Sequence, residues 1–427
     1  MSFLQYLADQ ISPRELTWII AAIATAGVIL RPFDWPEAIW AVAGAALLVA
    51  LQFLSPQDAL TGIGKGVDVY LFLTGMMLLS EIARQEGLFD WLAAIAAKRA
   101  QGSASRLFLL VYVVGAIVTT FLSNDATAVV LTPAVAAAVK TAKAEAPLPY
   151  LLICAFIANA ASFVLPISNP ANLVIYAAQM PPLLQWLSHY LLPSVLSIAA
   201  TFLTLRWTQR KALAQKLSSD APVPRLSAAG KTAALGIAAT SIVLLAASAL
   251  DIQLGLPTAA AGFLTAAIVL ARERKNPWRT IEEISWGVLP LVAGLFVLVE
   301  ALDKSGLIAA IAAFLRQQAT QSETAAAWGA GVVVALASNL MNNLPAGLVA
   351  AGAVKSADVS DPVRRAVLIG VDLGPNLSVT GSLATILWLT ALRREGLTVT
   401  AWTFLRLGAL VMPPALLVAI GAALAFG

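Results

Sequence analysis

The chain has 427 residues, of which 59% are hydrophobic and only 12% are charged, and its formal net charge is +4. Soluble domains are about 45–50% apolar and about 25% charged, so this composition predicts a membrane protein and excludes a sizeable soluble catalytic domain. With only one cysteine, Cys154, and one histidine, His189, the chain cannot form an internal disulfide, a multi-thiol site or the usual metal centres. We therefore expect no metal site and no cofactor.

Apolar segments follow one another along the whole chain. They lie at about 16–31, 37–54, 67–85, 149–180, 183–205, 231–250, 256–271, 284–302, 363–391 and 402–426. Two further pairs of shorter arms, 106–122 with 126–140 and 325–340 with 344–354, meet at polar residues. Arms of about 10–17 residues suit re-entrant hairpins better than full spans. The sequence thus predicts an all-α polytopic membrane protein of about ten spans and two hairpins.

The two halves of the chain resemble each other. Four residue pairs recur at an offset of 219: Gly75 and Gly294, Glu81 and Glu300, Gly87 and Gly306, Leu88 and Leu307. The pair Asn124-Asp125 corresponds to Asn342-Asn343 at an offset of 218, and Ser168 falls near Thr380. We predict a first repeat at 1–207, a linker at 208–230 and a second repeat at 231–427.

The basic residues predict the orientation of these repeats. Five crossings per repeat, an odd number, place the second repeat upside down in the bilayer. With the N-terminus outside, 20 of the 27 Lys and Arg residues fall on cytoplasmic segments, as the positive-inside rule requires. The basic residues between apolar segments are therefore topology signals and do not indicate nucleic-acid binding. Both termini are expected outside, and 208–226 is expected in the cytoplasm.

Polar residues interrupt each half twice, once at a hairpin tip and once in a proline-containing or glycine-containing break. Half-helix ends at such interruptions expose unpaired backbone groups, which a polar ligand can satisfy. Helix capping or a stabilised kink explains the same residue types, but polar groups at membrane depth favour ligand contact. The candidate substrate ligands are Ser123, Asn124, Ser168, Asn169, Asn172, Asn342, Asn343, Thr380, Gly381 and Ser382.

Two aspartates accompany these interruptions. Asp125 lies at the first hairpin tip, and Asp372 precedes the Gly374-Pro375 break. A carboxylate is expensive to keep inside a membrane, so both are candidates for proton coupling. Glu81 and Glu300 lie late in their segments and are expected at the interface. The motifs GxxxxGK[ST], GxSxG and HExxH are absent, so transport is favoured over an enzymatic activity.

Four motifs carry a resemblance to a known family: FLSNDATAVVLTP (121–133), SNPANLVI (168–175), SNLMNNLPAGLV (338–349) and DLGPNLSVTGSLATILWL (372–389). They resemble the arsenite/antimonite efflux permeases, the arsenical pump membrane proteins of the ion transporter superfamily. The resemblance implies a multi-pass protein of the bacterial inner membrane, with scaffold and transport parts, often dimeric. It also implies export of arsenite and antimonite against proton entry, sometimes energised by a soluble arsenite-stimulated ATPase.

Two other readings stay open at this point. Exposed carbonyls with Asn and Asp could hold Na⁺, and half-helix N-termini could hold a carboxylate, as in a sodium-coupled dicarboxylate carrier or a sodium/proton antiporter. A channel or passive binding subunit is the other alternative. Transport that needs Na⁺ would indicate the sodium-coupled carrier. Concentration of the substrate by the chain alone would exclude the channel or passive subunit.

Overall fold

The computed structural model describes residues 12–176, 180–219 and 222–426. The two chain ends, for which the sequence predicts an external position, lie outside the described residues. Within these ranges the chain is helical and forms no β-strand, and its only β-type pairing is an isolated bridge between Ser103 and Lys216. The predicted all-α membrane architecture is therefore confirmed.

Ten α-helices of four residues or more make up the first half of the described chain. They are α1 (Pro13–Leu30), α2 (Glu37–Ala50), α3 (Pro56–Lys65), α4 (Val67–Gln85), α5 (Leu88–Ala100), α6 (Ala104–Leu122), α7 (Thr132–Thr141), α8 (Leu148–Ala160), α9 (Pro170–Tyr176) and α10 (Leu183–Thr208). A helical turn, Asn124–Ala126, and a π-helical segment, Thr127–Leu131, join α6 to α7.

The second half also has ten helices, and they follow one another in the same order as their counterparts in the first half. They are α11 (Ala228–Ala249), α12 (Gly255–Glu273), α13 (Pro277–Glu283), α14 (Val288–Lys304), α15 (Leu307–Gln321), α16 (Glu323–Met341), α17 (Asn343–Ala357), α18 (Asp361–Leu373), α19 (Leu383–Arg394) and α20 (Ala401–Phe426). The 219-residue offset is visible in the backbone, because Gly87 and Gly306 precede α5 and α15 with φ angles of +73° and +82°.

Seven of the described helices are long and apolar enough to cross a membrane alone, namely α1, α6, α10, α11, α12, α16 and α20. The number rises to nine if the bent pairs α3–α4 and α13–α14, with bends of 47° and 43°, each count as one span. The hairpin arms α6 and α16 have 19 residues each, slightly more than expected. The count of ten spans, the inverted arrangement and the re-entrant character of the hairpins remain predictions.

The frame of the molecule consists of α1–α4 and α11–α14, and it joins the two halves. Helix α4 packs along α12, and its counterpart α14 packs along α2. A Cβ on Gly75 would lie 2.2 Å from the Thr258 carbonyl oxygen, and one on Gly294 would lie 2.8 Å from the Ala41 carbonyl carbon. These repeat-related glycines therefore allow the close crossing of helices from opposite halves.

Ion pairs fasten the bent helices of the frame to the opposite half. On the side predicted to face outward, Lys65 of α3 pairs with Glu300 of α14, and Asp58 pairs with Lys304 at 2.8 Å. On the side predicted to be cytoplasmic, Arg84 of α4 bridges Glu81 and Glu283 of α13. Glu81 and Glu300 thus both form ion pairs near helix ends, as expected for interfacial residues.

The core consists of the remaining helices, and it also crosses between halves. Helix α10 packs along α20, and α6 and α16 pack against α8 and α18 of their own halves. The π-helical arm of the first hairpin contacts α19, whereas α17 of the second hairpin contacts α9. Each hairpin therefore lies against the broken helix of the other half, which brings all four polar interruptions toward the centre.

Candidate functional site

Both hairpin tips turn at a residue with a positive φ angle that is not glycine. Ser123 has φ 111° and ψ 161°, and Asn342 has φ 73° and ψ 152°. Residues with a Cβ seldom adopt this region, and such strain costs about 1–3 kcal/mol each and is common at functional sites. The backbone pairs Ser123 with Asn342 at an offset of 219, so Asp125 corresponds to Leu344, one residue away from the match that the sequence suggests.

Asparagines cap the helices that leave the tips. The Oδ1 atom of Asn124 accepts a hydrogen bond of 2.9 Å from the Asp125 amide, and that of Asn342 accepts one of 3.4 Å from the Leu344 amide. The Asn343 amide donates to the Gly381 carbonyl at 2.8 Å, which ties the second tip to the break of its own half. A Cβ on Gly381 would lie 2.4 Å from Pro375 Cα, so only glycine fits here.

The two breaks have the same length and the same capping pattern. Residues 161–169 separate α8 from α9, and residues 374–382 separate α18 from α19. Asn169 and Ser382 close the breaks by accepting hydrogen bonds from the Ala171 amide at 3.0 Å and the Thr385 amide at 3.2 Å. The helix starts are offset by 213, which aligns Asn159 with Asp372.

Side-chain hydrogen bonds connect the two broken helices. The Nδ2 atom of Asn159 donates to Oδ1 of Asn376 at 3.0 Å, and that of Asn169 donates to Oδ1 of Asp372 at 2.5 Å. The other carboxylate oxygen of Asp372 is buried without a hydrogen-bond partner. Both donors therefore belong to the first half and both acceptors to the second, and one carboxylate oxygen of Asp372 is left without a partner.

A small central cavity of about 40 Å³ lies between the frame and the tips. Its polar lining comes from both tips, one break and the frame: Glu37, Asn124, Asp125, Asn169, Asn342 and Asn343. Leu73, Val292, Leu295, Leu344 and Ile386 are among its apolar lining. A cavity needs roughly 10–15 Å³ by this measure to hold one water, so this one has room for about three oxygen-sized groups.

The charges of this cavity are all negative. Among the described residues that line it, Asp125 and Glu37 are the ionisable ones, and none is basic or contains sulfur. Asp125 lies on the first tip, whereas Glu37 begins α2 on the frame and pairs with Arg31 at 3.2 Å. The cavity therefore combines hydrogen-bonding amides with one carboxylate that has an arginine partner, Glu37, and one that forms no ion pair, Asp125.

Seven of the residues that the sequence predicts as ligands or proton carriers do not line this cavity: Ser123, Ser168, Asn172, Asp372, Thr380, Gly381 and Ser382. Ser168 donates to the Thr120 carbonyl at 3.0 Å, and Asn172 donates to the Ser162 carbonyl at 2.8 Å. Thr380 donates to the Asn339 carbonyl at 2.8 Å. In this conformation these side chains hold the breaks in shape, and their contact with substrate remains a prediction.

Glu37 is the cavity residue that the sequence analysis missed. It follows Pro36 in the first turn of α2, where an acidic residue is usually explained by the positive end of the helix. Only the packing of α2 against α14 turns this position toward the tips. Its repeat position offers no signal either, because α12 begins with Gly255.

A second, larger cavity lies on the side predicted to face outward. This outer vestibule has a volume of about 800 Å³ and carries both signs of charge, from Lys65, Asp68, Glu300, Asp303, Lys355 and Arg364. Helices α9, α14 and α17 line both cavities, with Leu173, Phe296 and Leu348 on the vestibule side. One layer of apolar side chains thus separates the central cavity from the vestibule.

Solved structures with a similar fold are transporters. The YdaH transporter of Alcanivorax borkumensis matches with a TM-score of 0.59 and 17% identity, over 87% of this chain and 88% of that one. The MtrF protein of Neisseria gonorrhoeae, described as an antimetabolite efflux pump, matches with a TM-score of 0.57 and 12% identity, over 98% and 96%. At these identities the likeness concerns the fold alone.

Sequence relatives are arsenical pump membrane proteins. Those of Escherichia coli K12 and Yersinia enterocolitica are 28% and 27% identical, each over 81% of this chain and 83% of the relative. The predicted resemblance to the arsenical pump membrane proteins is thereby confirmed. Residues 17–370 match the family described as citrate transporters, CitMHS, which is more than half of the chain. With its helical membrane fold and its matching relatives, the chain belongs to this family of multi-pass membrane transporters.

Proposed function

We propose that this chain exports arsenite and antimonite across the bacterial inner membrane in exchange for protons. The observation that carries the proposal is the central cavity, which presents four amide side chains and two carboxylates without a thiol or a basic group. Trivalent arsenic in neutral water is mainly the uncharged trihydroxide. Its hydroxyl groups can donate hydrogen bonds to such side chains and accept hydrogen bonds from them.

The amides offer both donors and acceptors to such a ligand. Asn and Gln side chains carry one carbonyl and one NH₂ group, so Asn124, Asn169, Asn342 and Asn343 can each donate to or accept from a hydroxyl. Asp125 can accept from a hydroxyl when ionised. Thiolates bind soft metals and metalloids tightly, so oxygen and nitrogen contacts favour release on the far side.

Citrate is the competing substrate, because the family description names citrate transporters. A citrate site needs cations or positive helix ends to balance up to three carboxylates. Asp125 and Glu37 face the cavity instead, no described lining residue is basic, and the guanidinium of Arg31 is already paired with Glu37. The charge of this cavity therefore favours a neutral hydroxide over an anion.

Proton coupling needs a group that changes its protonation during the cycle. Asp125 lines the cavity, and Asp372 is connected to it through Asn169. We propose that one of these two carboxylates carries the proton, and that Na⁺ is not required. The ligands Ser123, Ser168, Asn172, Thr380, Gly381 and Ser382 would reach the substrate only after the breaks change shape.

Substrate uptake into everted vesicles tests this function. With the chain as the only arsenite transporter, we expect arsenite accumulation under an imposed proton gradient, equal with and without Na⁺, and none of labelled citrate. Citrate accumulation, or a strict need for Na⁺, would replace the proposal with the sodium-coupled anion carrier. The absence of concentrative uptake by the chain alone would instead indicate a passive subunit that depends on a soluble ATPase.

The orientation is proposed from the basic residues and is tested separately. A reporter inserted within 208–226 should respond as a cytoplasmic domain, and one fused after Gly427 should respond as an external one. Opposite signals would contradict the inverted repeat. Association of the purified protein as a dimer, which the resemblance implies, can be measured by light scattering in detergent.

A further inference from the structure

We propose that the ion pair between Arg31 and Glu37 is the cytoplasmic gate of the central cavity, and that it opens when a hydroxylic substrate takes the place of Arg31 beside Glu37. The inference rests on the proposed arsenite export and adds the point at which the substrate enters. Three observations support it: the position of Glu37 in the cavity, the incomplete hydrogen bonding of the pair, and the strained turn that carries Arg31.

The central cavity reaches the predicted cytoplasmic side at three helix ends. Val28 lies in the last turn of α1, Glu37 in the first turn of α2 and Val288 in the first turn of α14, and all three line the cavity. At the other end, Leu295 of α14 lines the cavity and the next residue, Phe296, lines the outer vestibule. Glu37 is therefore a charged residue at the cytoplasmic end of the cavity.

The ion pair connects this end of the cavity to the surface. The Nη1 atom of Arg31 lies 3.2 Å from Oε1 of Glu37. The Arg31 side chain is 33% exposed, whereas the Glu37 side chain, which lines the cavity, is 16% exposed. Arg31 thus lies on the solvent side of Glu37, in the turn between α1 and α2, and a substrate that enters here meets the pair first.

Two buried polar atoms of the pair have no hydrogen bond. Within the described part of the chain, Arg31 Nε has no acceptor and Glu37 Oε1 has no donor of suitable geometry, despite the short ion-pair distance. Buried polar groups are normally hydrogen-bonded, so the closed pair is incomplete. A hydroxyl group can donate to Oε1 and accept from Nε. A trihydroxide therefore offers these atoms the hydrogen bonds that the pair itself lacks.

The turn that carries Arg31 has a strained backbone. Arg31, Phe33 and Asp34 have φ angles of 47°, 63° and 57°, which residues with a Cβ seldom adopt, and such strain is common in switch regions. The ends of α1 and α2 are held together separately, because Trp40 packs so closely on Gly27 that a Cβ there would lie 2.5 Å from its ring. The turn can therefore change shape without moving the two helices.

The two ends of the cavity are closed by different chemical groups. On the vestibule side the barrier is apolar and includes Leu173, Phe296 and Leu348, which offer no hydrogen bond to a hydroxide. On the cytoplasmic side the barrier is an ion pair, which offers both a donor and an acceptor. A substrate that arrives from the cytoplasm therefore finds its first ligands at the barrier itself, as export requires.

Thiol labelling tests whether the pair closes the cavity. The variant Val28→Cys is made in a Cys154→Ala background, and everted vesicles expose its cytoplasmic side to a cationic, membrane-impermeant methanethiosulfonate reagent, without arsenite. Because labelling reports the population of the open gate, we expect it to be about tenfold faster with Arg31→Ala added. The exchanged pair, Arg31→Glu with Glu37→Arg, keeps the attraction and the net charge and should restore the slow rate.

Arg279→Ala is the matched control for the labelling. Arg279 pairs with Glu283 at 3.3 Å on the same predicted side of the membrane, but neither residue lines the central cavity, so the slow rate should persist. Glu37→Gln also breaks the gate pair, and it should speed labelling if Arg31→Ala does not fold. An unchanged rate in the gate variants, or a faster rate that the exchanged pair does not reverse, would overturn the gate.

Transport gives a second measurement, because an exporter must not open to both sides at once. With the gate pair broken, Arg31→Ala should accumulate about tenfold less arsenite under a proton gradient, while arsenite counterflow at equal pH stays within about twofold of the wild type. An equal loss of both transport modes would assign the pair a structural role and overturn the gate. A wild-type protein that labels as expected but moves no arsenite would contradict the proposed function and leave the gate standing.

Discussion

The two broken helices have the same backbone arrangement but different polar side chains. Both breaks are nine residues long, and both end in a polar helix cap. At the aligned position before each break, the first half has Asn159 and the second half has Asp372, and both are fully buried. The amide can only form hydrogen bonds, whereas the carboxyl group can also exchange a proton.

The hairpin tips also differ by one carboxylate, but here the carboxylate belongs to the first half. Asp125 belongs to the first tip, and the aligned residue of the second tip is Leu344, which lines the same cavity. Each half therefore contributes one carboxylate to these interruptions, the first half at its hairpin tip and the second half beside its break. A symmetric backbone holds an asymmetric set of charges, so the two halves have the same shape but different functions.

The largest expected effect follows from making the second break like the first. Asp372→Asn keeps the shape but cannot titrate, and arsenite export driven by a proton gradient should fall about 100-fold or more, within the range that positioned proton transfer contributes. The rate is measured in everted vesicles, with counterflow as a measure of remaining binding. In the double variant Asp372→Asn with Asn159→Asp, export should not return, because Asn159 faces Asn376. Wild-type export by the single variant would remove Asp372 from the coupling.

Asp125→Asn makes the charged tip resemble the uncharged one. We expect the apparent affinity for arsenite to fall about tenfold, because a hydrogen bond to a charged group contributes about 1.5–3 kcal/mol. The affinity is measured from the concentration dependence of uptake, and Leu344→Met, on the aligned position, should stay within about twofold of the wild type. If neither Asp125→Asn nor Asp372→Asn alters gradient-driven export, Glu81 and Glu300 become the next candidates for coupling.

Asn159→Ala tests whether the amide that precedes the first break has only a structural role. The substitution leaves the buried Oδ1 atom of Asn376 without its donor, which should lower the free energy of unfolding by about 1–3 kcal/mol. A thermal melt in detergent measures the loss, and export per folded molecule should stay close to that of the wild type. A selective loss of proton-driven export, without a change in melting temperature, would mean that both breaks take part in coupling.

The smallest effect is expected at Cys154, which lies fully buried in the apolar middle of α8. Cys154→Ala removes a small apolar group, and its cost should be about 1 kcal/mol of stability or less. Arsenite export in resistant cells should be nearly unchanged. Loss of export at normal expression would show that sulfur handles arsenic in this chain.

Much of this arrangement could be predicted from the sequence, because clusters of Asn, Asp, Ser, Pro and Gly separate the apolar segments at the hairpin tips and at the breaks. The short helices α5 and α15 were not predicted, since they mix apolar and charged residues and follow a glycine turn rather than a long apolar run. Asn159 was also missed, because it lies within an uninterrupted apolar segment. Its partner Asn376 is 217 residues away, and only the folded chain brings the two together.

The pairing of α4 with α12 and of α14 with α2 has a consequence for how the protein is made. When the first 207 residues have left the ribosome, α2 and α4 still lack the helices that cover Ala41 and Gly75. The bent helix α3 likewise has no Glu300 to hold Lys65. The half that is synthesised first therefore enters the bilayer with these packing surfaces of α2 and α4 still uncovered. Completion of the frame is a late event, set by the arrival of α12 and α14.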